Sequence, residues 1–240
     1  MVDAVLSQTR ALRPAQPGWL RQVLVVYRKD LSIEAATGEV TVTSGFFALL
    51  VVVLASLSFF GGPVSARNVA SGTVWLSLAF AAVLSLGKSW QRERDEAALD
   101  GLLVSPLSRS AIFAGKALSV WTFLLAVLVV VLPLSLVLFS LEASMMGPLL
   151  VIAAAATPGV AASGTLFGAM TVRTGARDLL LAVVLFPLLS PTLLAAVAAT
   201  RELFGGAPLS ELGDYLKVMG VFDLVFVAGG LSMFGTLVER

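Results

Sequence analysis

GKSWQRERDEAALDGLLVSPLSRSAIFAGK, Gly87 to Lys116, concentrates charge in a chain whose flanking stretches are apolar enough to lie in a membrane. Read as a helix, it begins with Arg92, Glu93, Arg94, Asp95 and Glu96 and passes into Leu99, Leu102 and Leu103, which the helical repeat sets on one face. The segment is amphipathic and suits a membrane surface. Ser105 precedes Pro106 and is therefore pushed out of the helical region, after which Ser108 or Ser110 can cap a new helix entering the next apolar run. The pattern is helix, sharp turn, helix. One reading is a solvated connection between two membrane helices, the usual fate of a charge run. The other is a docking helix, which needs an apolar ridge for affinity and a charged rim for orientation, and the three leucines beside five charges favour it.

Composition supports a membrane setting. Hydrophobic residues make up 58% of the 240 and charged residues 13%, against about 25% charged in soluble domains. The length suffices for one helical bundle and not for a bundle plus a folded soluble domain. Cysteine and histidine are both absent. That removes disulfides, thiolate metal sites, thiol catalysis, the commonest general base and the usual haem ligand.

Residues 1–17 are polar, contain two prolines and are expected to be loosely ordered, with no apolar run to act as a signal peptide before Thr41. Over 18–36, Leu20, Val23, Leu24, Tyr27 and Leu31 fall on one side of a helix, with Arg21, Gln22, Arg28, Lys29 and Ser32 opposite. This predicts a helix lying in the membrane interface, Trp19 and Tyr27 at headgroup depth. Six spans are predicted at 43–61, 69–87, 117–141, 148–172, 179–200 and 215–238, each near the ~20 residues that cross ~30 Å of hydrocarbon. The fold class is all-α, a polytopic membrane protein with one transmembrane domain over 18–240. An even number of spans returns both termini to one side. Of the sixteen Lys and Arg, only Arg67, Arg201 and Lys217 fall on the opposite side, so the termini and the loop 88–116 are expected in the cytoplasm.

Inside the spans, Pro133, Pro158, Pro187 and Pro191 are expected kinks, tolerated where neighbours satisfy the freed carbonyls. Gly164 and Gly168 form a GxxxG pair, expected to pack within the same bundle ahead of a subunit contact. Asp223 is the acidic group well inside a span, where a charge costs about 2.5–3.5 kcal/mol on insertion scales. A proton relay would need further ionisable groups at that depth, and apart from Lys217 near one end none is evident. Structural hydrogen bonding is the favoured role. No phosphate-binding loop is present: Lys88 and Lys116 each lack the leading glycine of G-x-x-x-x-G-K-[ST], and Ala117 replaces the hydroxyl after Lys116. The serines have no evident activating base, so no catalytic residue is assigned.

The segment E-R-D-E-A-A-L-D-G-L-L-V-S-P-L-S-R, Glu93 to Arg109, resembles the cytoplasmic coupling segment of export-type ABC permeases, and Gly115-Lys116 at the head of the third span fits as well. G-T-L-F-G-A-M-T-V-R-T-G-A-R-D-L-L-L (Gly164–Leu181), F-P-L-L-S-P-T-L-L-A-A-V-A-A-T (Phe186–Thr200) and V-F-D-L-V-F-V-A-G-G-L (Val221–Leu231) are more specifically similar to the haem exporter permease family, cytochrome c maturation protein B. The resemblance runs from about Tyr27 to the end. Where relatives show G-T-L-E, this chain has Ala97, Ala98, Leu99 and Asp100, which keeps the acid one methylene shorter.

The resemblance implies a non-catalytic six-span permease of the ABC-2-like type, with an elbow helix at 18–36, in the bacterial cytoplasmic (inner) membrane. Its implied partners are an ABC ATPase subunit that binds ATP, a haem-handling membrane subunit and a small accessory subunit. Haem is then handled by the complex, with no cofactor bound directly by this chain, and no nucleic acid is involved. Arg92, Glu93, Arg94, Glu96, Leu99, Asp100, Leu102, Leu103 and Pro106 are the implied ATPase-coupling residues. Whether two copies pair as a homodimer, and whether haem itself crosses, stay open. A drug or glycan export permease of the same clan is the nearest alternative, and an ion-coupled secondary transporter built on Asp223 the second.

Overall fold

The computed structural model describes residues 17–58, 62–95, 98–171 and 177–238, and all secondary structure among them is helical. We label the helices α1 (Trp19–Thr37), α2 (Glu39–Ser58), α3 (Pro63–Asp95), α4 (Ala98–Val104), α5 (Arg109–Leu138), α6 (Met146–Thr171), α7 (Arg177–Phe204) and α8 (Gly213–Val238). Single 3-10 turns at Ala143–Met145 and Leu209–Leu212 lead into α6 and α8. Six helical stretches are long and apolar enough to cross a membrane, running through α2, α3, α5, α6, α7 and α8. The chain is a multi-pass membrane protein.

The α1–α2 elbow follows from local chemistry. Gly38 adopts the left-handed conformation (φ 63°), which closes α1 at low steric cost. Glu34 then reaches across the bend and its two carboxylate oxygens accept from the N–H groups of Val40 (3.2 Å) and Thr41 (2.7 Å). These belong to the first turn of α2, which has no intrahelical partner for them. α2 accordingly begins at Glu39, ahead of the expected start.

α6 forms the centre, packing against α3, α5, α7 and α8. Its buried positions are mostly small, among them Ala153, Ala156, Ala161, Ala162 and Ser163. Such residues let helix backbones approach where no hydrophobic effect drives association, as in lipid. Larger buried side chains, Trp75, Phe113, Phe204 and Phe234, fill the spaces between the other helices. Two indoles cross-link the bundle: Trp75 Nε1 donates to Thr200 Oγ1 (2.8 Å) and Trp121 Nε1 to Thr157 Oγ1 (2.9 Å). α2 and α8 lie at the periphery and leave Val42, Phe46, Leu50, Leu54, Val221, Leu224 and Val225 exposed.

Pro133 lies inside α5, Pro158 inside α6, and Pro187 and Pro191 inside α7. The helices flanking the charged stretch extend further than hydropathy alone marks: α3 continues past Gly87 to Asp95, and α5 begins at Arg109 instead of near Ala117. Polar residues there are carried into the bundle because they pair with one another.

Candidate functional site: the charged junction of α1, α3 and α5

α1 runs beside the first turns of α5. Trp19 Nε1 donates to Ser110 Oγ (3.0 Å), Gln22 Oε1 accepts from Ser108 N–H (2.7 Å), and Tyr27 Oη lies 3.2 Å from Thr122 Oγ1. Gly115 allows the contact: a Cβ there would collide with Val26 and crowd the Val23 carbonyl. The expected apolar side of α1 is split by this docking. Val23 turns inward, whereas Leu20 and Leu24 are exposed, and the inward face also carries Gln22, Asp30 and Glu34. Part of the polar side, expected at the membrane surface, is thus directed into the bundle because its partners wait there.

Lys116 of α5 is one such partner. Its side chain is 3% exposed, and Nζ lies 2.6 Å from Glu93 Oε1 of α3 and 3.3 Å from Asp30 Oδ2 of α1. Lys29 approaches the same Glu93 oxygen at 2.6 Å and Asp30 Oδ1 at 3.4 Å. Two cations and two carboxylates therefore balance. The Trp90 ring adds a face to the Lys116 ammonium, 5.2 Å from its centroid. Burial pulls the Lys29 ammonium down, but hydrogen bonding and charge from Glu93, with Asp30 contributing, reverse this and hold its pKa above the ordinary value. A cavity of about 20 Å³, the size that holds one water, adjoins the cluster, lined by Asp30, Glu34, Ser89, Arg92 and Glu93 together with the apolar Ile33, Val40 and Phe123. On the rim, Glu39 pairs with Lys88 (2.8 Å) and Arg92 (3.1 Å).

Beyond this junction the chain makes α4 and turns back. Ser105 Oγ donates to the Leu102 carbonyl (2.6 Å), and the Arg109 guanidinium to the Leu103 carbonyl (2.8 Å). Both occupy acceptors that the end of a short helix leaves open. Ser108 is the cap of α5, its Oγ accepting from Ala111 N–H. Since Ser108 is also held by Gln22, the turn is tied to α1.

The sequence-derived coupling residues are thus distributed. Glu93 is buried in the ion cluster, while Arg92 lies on the rim. Leu102 and Leu103 are half-buried, packed against the chain's own core, whereas Val104 is 88% exposed and Pro106 is exposed. Glu96 lies outside the described residues, and so do the side chains of Arg94, Leu99 and Asp100. Sequence reading missed Lys116 and Asp30 as interior charges. The signal was a lysine directly preceding a long apolar run, with an acid on the polar side of α1 as its complement.

The remaining polar and small residues lie elsewhere in the bundle. Asp223 Oδ1 accepts from Gly159 N–H at 2.6 Å. Pro158 cannot supply a helical N–H and crowds the preceding turn. Gly159 lacks the Cβ that would strike Asp223, so α8 can approach here. Gly164 and Gly168 face Leu86 and Trp90 of α3, where a Cβ on either would collide. Gly168 therefore backs the indole that covers Lys116.

The chain is similar to known proteins along most of its length. The chain matches the family described as CcmB protein over residues 21–235. It is 29% identical over 205 residues to heme exporter protein B of Bradyrhizobium diazoefficiens, covering 85% of this chain and 90% of that one. With heme exporter protein B of Rhodobacter capsulatus the identity is 32% over 158 residues, 65% of this chain and 72% of the relative. The Haemophilus influenzae protein of the same name is 25% identical over 199 residues, 82% of this chain and 88% of that protein. A family match that runs from α1 almost to the end of α8, and so takes in the whole ion junction and the α4 turn, shows that the chain belongs to the CcmB protein family.

Proposed function

We propose that this chain is the membrane subunit through which a separate ATPase drives a haem-export assembly serving cytochrome c maturation, with the α4 end and both termini in the cytoplasm. The observation that carries the proposal is α4 itself. This seven-residue helix stands outside the six spans, presents an almost fully exposed valine, and is tied to a buried network of ion pairs. The names of the relatives supply the haem, and the absence of a phosphate-binding loop assigns ATP to a partner.

The mechanism follows from how α4 is attached. A force on Val104 and Pro106 passes through the Leu103 carbonyl to Arg109 and α5, and through Ser108 to Gln22 and α1. Lys116 then joins α1, α3 and α5, so the three helices answer as a unit. Short contacts at low solvent exposure resist independent sliding of these helices. With no His or Cys in the chain, haem iron is ligated by the haem-handling partner, and this subunit acts as a lever on that partner.

The test is affinity purification of the tagged chain in mild detergent, followed by haem staining of the partner subunits. An ATPase should accompany the chain, and haem should reside on a partner. Purification without any ATPase, or stoichiometric haem on this chain alone, would overturn the assignment.

A further inference from the structure

The α3/α7 surface holds a cavity of about 600 Å³. Its walls include Gly72, Leu76 and Ala79 of α3 and Ser190, Leu194 and Val197 of α7, with Asn68 at the end remote from α4. Leu76 and Leu194 are exposed, so the space opens sideways toward the surroundings of the bundle. Along α3 the lining runs from Asn68 to Ala79, and along α7 from Phe186 to Val197. Each wall is about 16 Å long at the helical rise, roughly half of the ~30 Å hydrocarbon thickness. The groove therefore has the depth of one leaflet.

Aromatic rings close its inner end. Phe80 stands edge-on to Phe186 and to Phe47, with centroids 5.7 Å apart in each pair, which joins α2, α3 and α7 across the foot of the groove. A transmembrane helix would need a channel running the full height, and this one stops partway. Haem would want an axial ligand, and the lining contains no His, Cys, Met or Tyr.

The mouth carries charge. Arg201 stands one helical turn beyond Val197, on the lining face of α7, whereas Arg67, although next to Asn68, falls by the helical repeat on the side of α3 away from the groove. Both are exposed, and neither side chain has a hydrogen bond or ion pair with the described residues. Lys217, the third cation predicted on this side, is by contrast paired with Asp214 at 2.7 Å. No acidic residue lines the groove. We infer that the α3/α7 groove is a binding site for one phospholipid with an anionic headgroup, its acyl chains lying between Leu76 and Leu194 and its headgroup held by Arg201.

The experiment is native mass spectrometry of the purified full chain offered equal amounts of dioleoyl phosphatidylglycerol and dioleoyl phosphatidylcholine. One phosphatidylglycerol should be retained with a preference of about fivefold, as expected of one arginine near an anionic headgroup. Arg201→Gln should reduce the preference to parity, and Arg67→Gln, on the far side of α3, should leave it unchanged. Gly72→Phe should expel the retained lipid, and it is compatible with the fold because a Cβ at Gly72 meets nothing within 4 Å. Equal retention of the two lipids by the parent chain, a preference surviving Arg201→Gln, or full retention in Gly72→Phe would overturn the inference. So would displacement of the phosphatidylglycerol by added haemin.

Discussion

Lys116 Nζ lies 2.6 Å from Glu93 Oε1 and 3.3 Å from Asp30 Oδ2, so one ammonium on α5 holds together the helix that precedes the α4 turn and the elbow helix beside it. Glu93→Gln removes a carboxylate from two lysines at once. Leaving a buried charge without its partner costs about 3–5 kcal/mol, whereas replacing both members with apolar groups of similar volume is often neutral. Glu93→Gln should lower the thermal unfolding midpoint in detergent clearly, and Glu93→Leu with Lys116→Met should recover most of the loss, Lys29 being free to reach solvent. A double variant at least as unstable as the single would contradict this account of the pair.

The raised pKa of Lys29 fixes the sign of its pH response. Its contribution to stability is complete below the unfolded value of about 10.4 and is lost only as pH rises through the higher folded value. Lys29→Gln should therefore cost the same stability at every pH across the neutral range. A difference from the parent that shrinks steadily between mildly acidic and mildly basic buffer would count against it.

Val104 and Leu103 are neighbours with different surroundings, the first almost fully exposed and the second packed on the core. Val104→Asp should weaken ATPase co-purification while leaving the unfolding midpoint unchanged, since no core contact is lost. Leu103→Asp should impair both, with a docking loss of ~2 kcal/mol or more if Leu103 is also an anchor. If Val104→Asp leaves the ATPase bound in full amount, α4 does not dock through its exposed tip.

Asp223 serves Gly159 N–H, and an amide of the same shape keeps an acceptor there. Asp223→Asn should be close to neutral for folding and for cytochrome c maturation. Asp223→Leu leaves the N–H without its partner and should cost about 1–3 kcal/mol. Loss of maturation in a well-folded Asp223→Asn protein would show that the acid has a further role.

Gly164 and Gly168 are occupied by α3 of their own chain. Gly164→Leu should destabilise by about 1–3 kcal/mol or more through overpacking against Leu86, and the loss should not depend on protein concentration in detergent. A purely concentration-dependent loss would assign the pair to a contact between copies.

Class and span number were legible in the sequence because lipid imposes a coarse rule: about twenty apolar residues per crossing, with every backbone polar group satisfied inside a helix. The turn at Ser105-Pro106 and a cap at Ser108 or Ser110 were legible for a similarly local reason, since a proline and a hydroxyl act on their immediate neighbours, and the structure places the cap at Ser108. The orientation of α1 was not. Helical periodicity sorts its residues into an apolar and a polar side, but the choice of which faces inward depends on Lys116, Glu93 and Ser108, far away along the chain. The same holds for Leu102 and Leu103, whose apolar character suits a partner's groove and their own core equally well. Tertiary structure decided these cases because a buried charge is stable only where its counter-charge is already placed, and that placement is a property of three helices at once.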